Sequence, residues 1–150
     1  MQHWLFKSEP NEYSIDDLKR DKVTHWDGVR NYQARNMMRD QMVKGDPGFF
    51  YHSNCAEPGI VGLLTIVREG YPDHTAFDRD DPHFDPKSDP ETPRWFMVDV
   101  RFKRKFKRVV TLKELKAHAG LAELPLVRKG NRLSVMPVPV GHWEFILGLE

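Results

Sequence analysis

Apolar positions along the chain fall in short blocks whose spacing alternates between strand-like and helix-like periods. HWLFK at 3–7 is a short buried strand ending at the turn Ser8-Glu9-Pro10. Ser14 followed three residues later by Asp17 has the form of a capping box and starts a short helix through about Arg20. THWDGV reads as a loop carrying Trp26, and 30–42 as a helix with Ala34, Met37, Met38 and Met42 on its core face. Asn31, Arg35 and Arg39 lie four apart on another stripe of that helix. A turn at 45–48 leads into strands over 49–53 and 59–68, rich in residues that suit a pleated surface. Residues 70–93 hold five prolines without periodicity and read as one long loop.

Residues 95–106 give the clearest alternation, with Phe96, Val98, Val100, Phe102 and Phe106 on one face and Asp99, Arg101, Lys103 and Lys105 on the other. Thr111 and Glu114 form a second capping-box pattern. LPLVRKGNRLSVMPV is loop followed by strand, and 141–149 a closing helix. Strands scattered among short helices predict an α+β fold, a small twisted, mostly antiparallel or mixed β-barrel flanked by helices.

At 150 residues the chain suggests one domain, 1–150, with a core that needs no disulfide or metal staple. Cys55 is the only cysteine, which excludes a disulfide framework and a cysteine-rich zinc site. The N-terminal MQHWLFKSEP lacks the pattern of a secretory signal, and no apolar run approaches a membrane span, so the expected location is cytoplasmic. Net charge is +1, from 23 basic and 22 acidic residues, but the signs are sorted. Acids crowd into 73–91, whereas RFKRKFKR at 101–108 has none. That row reads as the solvent face of an edge strand, where lysines block unwanted pairing.

Nine Phe, four Tyr and four Trp are a generous supply, most of it destined for the core, with any surplus available to a site. A pocket for a flat nucleobase needs apolar surfaces against the ring and polar groups at its edge. Trp26, between polar His25 and Asp27, is the first candidate for the stacking wall, with Tyr32 and Tyr51 behind it; Trp4 and Trp143 sit in apolar runs and belong to the core. Lys7, Ser8, Asn31, Ser53 and Asn54 are candidates for the edge. Phosphates would fall to Arg30, Arg35 and Arg39 on the helix and to Arg128, Lys129 and Arg132 in a turn whose Gly130 lets backbone amides approach an anion.

WLFKSEP at 4–10, WDGVRNYQARN at 26–36, FFYHSN at 49–54, PRWFMVDV at 93–100 and LVRKGNRLSVMPV at 126–138 resemble the EVE domain. The likeness covers essentially the whole chain. It implies a PUA-like fold, related to the PUA domains of RNA-modifying enzymes and to the YTH domains that read methylated adenine in RNA. It further implies a non-catalytic reader of a modified base in DNA or RNA. By the same resemblance WLFKSEP and FYHSN line the pocket, which brings in His52, and Arg94 and Ser134 join them. No cofactor or metal is implied, and a monomer is the simplest state.

Three other readings follow from the residues. His52 and Cys55 suggest a thiol nucleophile with a base, but no third orienting group is evident. Asp78, Asp80, Asp81, His83, Asp85 and Asp89 are oxygen-rich without the spacing of a calcium loop. A small-molecule or peptide pocket with no nucleic-acid role would differ from a reader in salt dependence, because phosphate binding releases counterions.

Overall fold

The computed structural model describes residues 1–150. A six-stranded mixed sheet forms its centre. The strands are β1 (Trp4–Ser8), β2 (Val23–Trp26), β3 (Pro47–His52), β4 (Gly59–Pro72), β5 (Phe96–Thr111) and β6 (Val135–Pro137), in the spatial order β2-β5-β4-β3-β1-β6. The helices are α1 (Ile15–Asp21), α2 (Tyr32–Asp40), α3 (Leu112–Lys116) and α4 (Val140–Leu147). The α+β class is as expected, and the sheet twists without closing into a full barrel.

β1 lies between β3, to which it runs parallel, and β6, to which it runs antiparallel. It is covered on both faces, which is why WLF is a continuous apolar run rather than an alternating one. Trp4 and Phe6 point into a core shared with Phe50, Leu64, Ile66 and Val100, and α1 and α2 cover it with Ile15, Leu18, Ala34, Met37 and Met38. Leu5, Phe49, Tyr51 and Leu63 point the other way, against Leu115 of α3 and Trp143 and Ile146 of α4. Trp143 stacks on Phe49 with centroids 4.0 Å apart.

Several boundaries differ from the sequence reading for identifiable reasons. Thr24 to Trp26 belong to a strand, because His25 and Trp26 alternate across β2 as it pairs with Val98 to Arg101. The supposed loop at 70–72 continues β4 and pairs with the start of β5. The Ser14 capping box forms with both of its hydrogen bonds. At Thr111 only half of one forms: its hydroxyl accepts from Glu114 N, but the Glu114 carboxylate turns to Arg108, at 2.7 and 2.8 Å. β5 is internal where β2 flanks it, and the basic row becomes an edge only beyond that pairing.

Candidate nucleic-acid interface

A cleft of about 660 Å³ opens where the C-terminal ends of β1 and β2 meet the segments after β3 and before β6. Main-chain bonds gather these ends: Lys7 N donates to Ser134 O at 2.8 Å, and Ser53 N to Ser8 O at 3.0 Å. Ser8 Oγ donates to Tyr13 O at 2.6 Å, tying in the segment that leads to α1. Asp27, Gly28 and Val29 after β2 form another wall, with His83 of the long acidic loop beside them.

A buried carboxylate holds that loop. Asp73, fully buried, accepts from Gly28 N (2.8 Å), Arg30 Nη1 (3.0 Å), Thr75 N (2.9 Å) and Thr75 Oγ1 (2.6 Å). Arg30 also donates from Nε and Nη2 to His83 O, at 3.1 and 2.6 Å. Burial alone would raise the Asp73 pKa; the hydrogen bonds from Thr75, Gly28 and Arg30 and the Arg30 charge outweigh it and hold the group below its ordinary value. Gly28 has φ +76°, and a Cβ there would lie 2.6 Å from the His83 ring, so the His83 side chain packs where only glycine leaves room.

Of the candidates named from sequence, Lys7, Ser8, Trp26, Ser53, Ser134 and Arg132 line the cleft. Trp26 does so differently from expectation. It is 8% exposed and packs edge-on against Phe6 and Phe50, at 5.2 and 5.5 Å between centroids, so most of its ring is core. Its indole N–H, unlike those of Trp4 and Trp95, finds no protein acceptor. Lys7 is half-buried, and burial lowers its pKa. Its ammonium lies 5.9 Å from the Tyr51 ring centroid and pairs with no carboxylate.

The structure sends the other candidates elsewhere. Asn31 caps α2, accepting from Ala34 N at 3.0 Å. Tyr32 is 52% exposed and lies against Trp95, centroids 4.8 Å apart, outside the cleft. Tyr51 is core on the opposite face of the sheet. His52 Nε2 accepts from Ile15 N at 3.0 Å, and Asn54 Nδ2 donates to Glu9 Oε1 at 2.5 Å. Arg94 donates to Lys87 O at 3.2 Å. Arg30 belongs to the Asp73 clamp, Arg35 donates to Arg94 O at 2.6 Å, and Arg39 pairs with Asp40 at 2.8 Å, so none of the three is a free phosphate contact. In the turn, Arg128 lies 3.8 Å from Glu123, whereas Lys129 and Arg132 are exposed without an acidic partner.

Sequence reasoning did not place His25, Asp27, Val29, Leu133 or His83 in a base pocket, yet all of them line the cleft. The signal was available for some of them: Asp27 and Val29 stand within the WDGVRN stretch, and Leu133 within RLSV. Asp27, Asp81 and His83 place one potential ligand atom each within 4.8 Å of one another. Asp81 Oδ1 already accepts from His83 N at 2.8 Å.

The EVE domain family model matches residues 2–149. The chain belongs to the EVE domain family. Human thymocyte nuclear protein 1 is 46% identical over 166 residues, spanning 99% of this EVE-domain chain and 73% of the relative. A crystal structure of a protein from Pseudomonas syringae is 52% identical with a TM-score of 0.95, covering 98% of each chain. The human protein THYN1 in complex with 5-methylcytosine-containing DNA is 46% identical with a TM-score of 0.91, covering 99% of this chain and 97% of that one. The fold matches the PUA-like arrangement of these proteins. The cytoplasmic expectation is corrected by the same comparison, in which relatives from human and chicken bear the name thymocyte nuclear protein 1.

Proposed function

We propose that this chain is a non-catalytic EVE module, spanning 1–150, that binds a modified base in DNA within the cleft beside Trp26. The observation that carries the reading is the human relative, similar across 99% of the chain, whose structure is a complex with 5-methylcytosine-containing DNA. The cleft supports it. Its size falls within the roughly 300–1,000 Å³ of small-ligand pockets, and it combines apolar Trp26, Val29 and Leu133 with unspent donors on Lys7 and Trp26. Ser8, Ser53 and Ser134 supply the polar rim, and Lys129 and Arg132 take the phosphates, with Arg128 behind them.

The test is fluorescence anisotropy with matched DNA and RNA oligonucleotides carrying 5-methylcytosine or cytosine at one position. The expected result is tighter binding to methylated DNA, with affinity falling steeply as salt rises. No preference for the modified base would overturn the reading, and binding indifferent to salt would point instead to a small-molecule pocket.

A further inference from the structure

The cleft holds three carboxylates, and their surroundings are unequal. Glu9 is occupied by the Asn54 amide at 2.5 Å, and Glu12 is exposed to solvent. Asp27 is half-buried and accepts no hydrogen bond from the protein; His25 Nε2 lies 3.6 Å from its Oδ2, and Asp81 and His83 each bring a polar atom within 4.8 Å of its carboxylate. The loop that carries it is held in place through Gly28 N and Asp73. A half-buried carboxylate without donors is costly to leave unpaired, and it can only accept.

We propose that Asp27 is a specificity-determining residue that accepts the exocyclic amino group of a cytosine-type ring, making the cleft selective for 4-amino over 4-oxo pyrimidines. This rests on the base-binding reading above and adds to it which ring is chosen and by which atom. Lys7 and Trp26 both line this cleft, and neither the Lys7 ammonium nor the Trp26 indole N–H has a protein acceptor, so these two are the donors assigned to the ring. One acceptor with two donors complements the edge of cytosine, which offers an amino donor and then the N3 and O2 acceptors. Thymine or uracil would set a carbonyl oxygen against Asp27 and an N–H against the donors. Adenine matches the first two groups and lacks the third. A methyl at C5 leaves this edge unchanged and needs only apolar surface, such as Val29 and Leu133 offer.

5-Methylcytosine and thymine share that methyl and differ at the 4-position and the N3 proton, so they isolate the claim. Single-stranded oligonucleotides identical except for 5-methylcytosine, cytosine or thymine at one position remove any difference in pairing cost. The wild-type chain is expected to bind the 5-methylcytosine strand roughly tenfold or more tightly than the thymine strand, the scale of discrimination by a good base-edge contact. Asp27→Asn, which keeps the shape and can present either a donor or an acceptor, should bring that ratio close to one. Equal wild-type affinity for the two strands, with both above cytosine, would overturn the amino-group reading while leaving base binding intact. An unchanged ratio in Asp27→Asn would overturn the role of Asp27 alone. Failure of the 5-methylcytosine strand to exceed cytosine would overturn the proposed function itself, and this inference with it.

Discussion

Asp73→Ala tests whether the cleft wall is built as described. The substitution removes the acceptor for four hydrogen bonds and the counter-ion of Arg30, whose side chain is 23% exposed. Removing one partner of a buried ion pair costs about 3–5 kcal/mol. Arg30 keeps its two bonds to His83 O and some contact with water, which sets the expectation at the lower end, about 3 kcal/mol. For a chain of this size that is a fall of roughly 6–12 °C in Tm. Urea unfolding of the wild type, Asp73→Ala, Arg30→Ala and the double variant gives the pairwise term. A coupling above about 1 kcal/mol is expected for a pair in one network. Because Asp73 is held below its ordinary pKa, its contribution is complete above the ordinary carboxylate value near ~3.9 and is lost as pH falls through the lower folded value. Wild-type stability should therefore drop more steeply in acid than that of Asp73→Ala. Additive single effects, or an Asp73→Ala cost under about 1 kcal/mol, would refute the clamp.

Two other substitutions follow from the same geometry. Gly28→Ala forces a side chain into a left-handed backbone and onto the His83 ring, so a loss of about 1–3 kcal/mol and weakened base binding are expected, read by thermal unfolding and anisotropy. Wild-type stability and affinity in that variant would show that the loop tolerates displacement. His52 is held below its ordinary pKa first by burial and by Lys105, against the opposing pull of Asp16 and Asp17. Its stabilising contribution is thus present above the ordinary value near ~6.5 and is lost as pH falls below it toward the folded value. Protonated Nε2 cannot accept from Ile15 N. His52→Gln offers an acceptor that does not titrate, and its unfolding midpoint should change less than that of wild type between pH 7 and 5; parallel curves would contradict this.

The fold was legible wherever local physics decides it. The Ser14 box and the core face of α2 can each be read from a handful of neighbouring residues, and each stands in the structure; the alternation in β5 holds for Val98, Val100 and Phe102, whereas Phe106 packs in the other core, beside Phe49. The site was less legible because its parts are assembled across the chain. Arg30 looked like a phosphate contact since its partner Asp73 stands 43 residues away, and no local pattern joins them. Trp26 drew notice for its polar neighbours, but His25 takes the outward position of a short strand, Asp27 follows the strand's end, and the indole turns inward against Phe6 and Phe50. Tyr32 shares a motif with Trp26 yet begins a helix, and the change of period carries it out of the cleft to Trp95. Asp27, Val29 and Leu133 were within quoted motifs and passed over, because an acid or an aliphatic beside a tryptophan carries little meaning until the cleft places them on one wall.

The central claim is that a base enters the cleft and meets the indole edge of Trp26. Titrating 15N-labelled protein with a 5-methylcytosine oligonucleotide, while following the tryptophan indole N–H resonances, tests it directly. The Trp26 signal should move with saturation, while those of Trp4 and Trp95, bound to Asp46 and Asp85, stay in place. Saturable binding that leaves the Trp26 indole unmoved would put the base elsewhere on the surface and contradict the account.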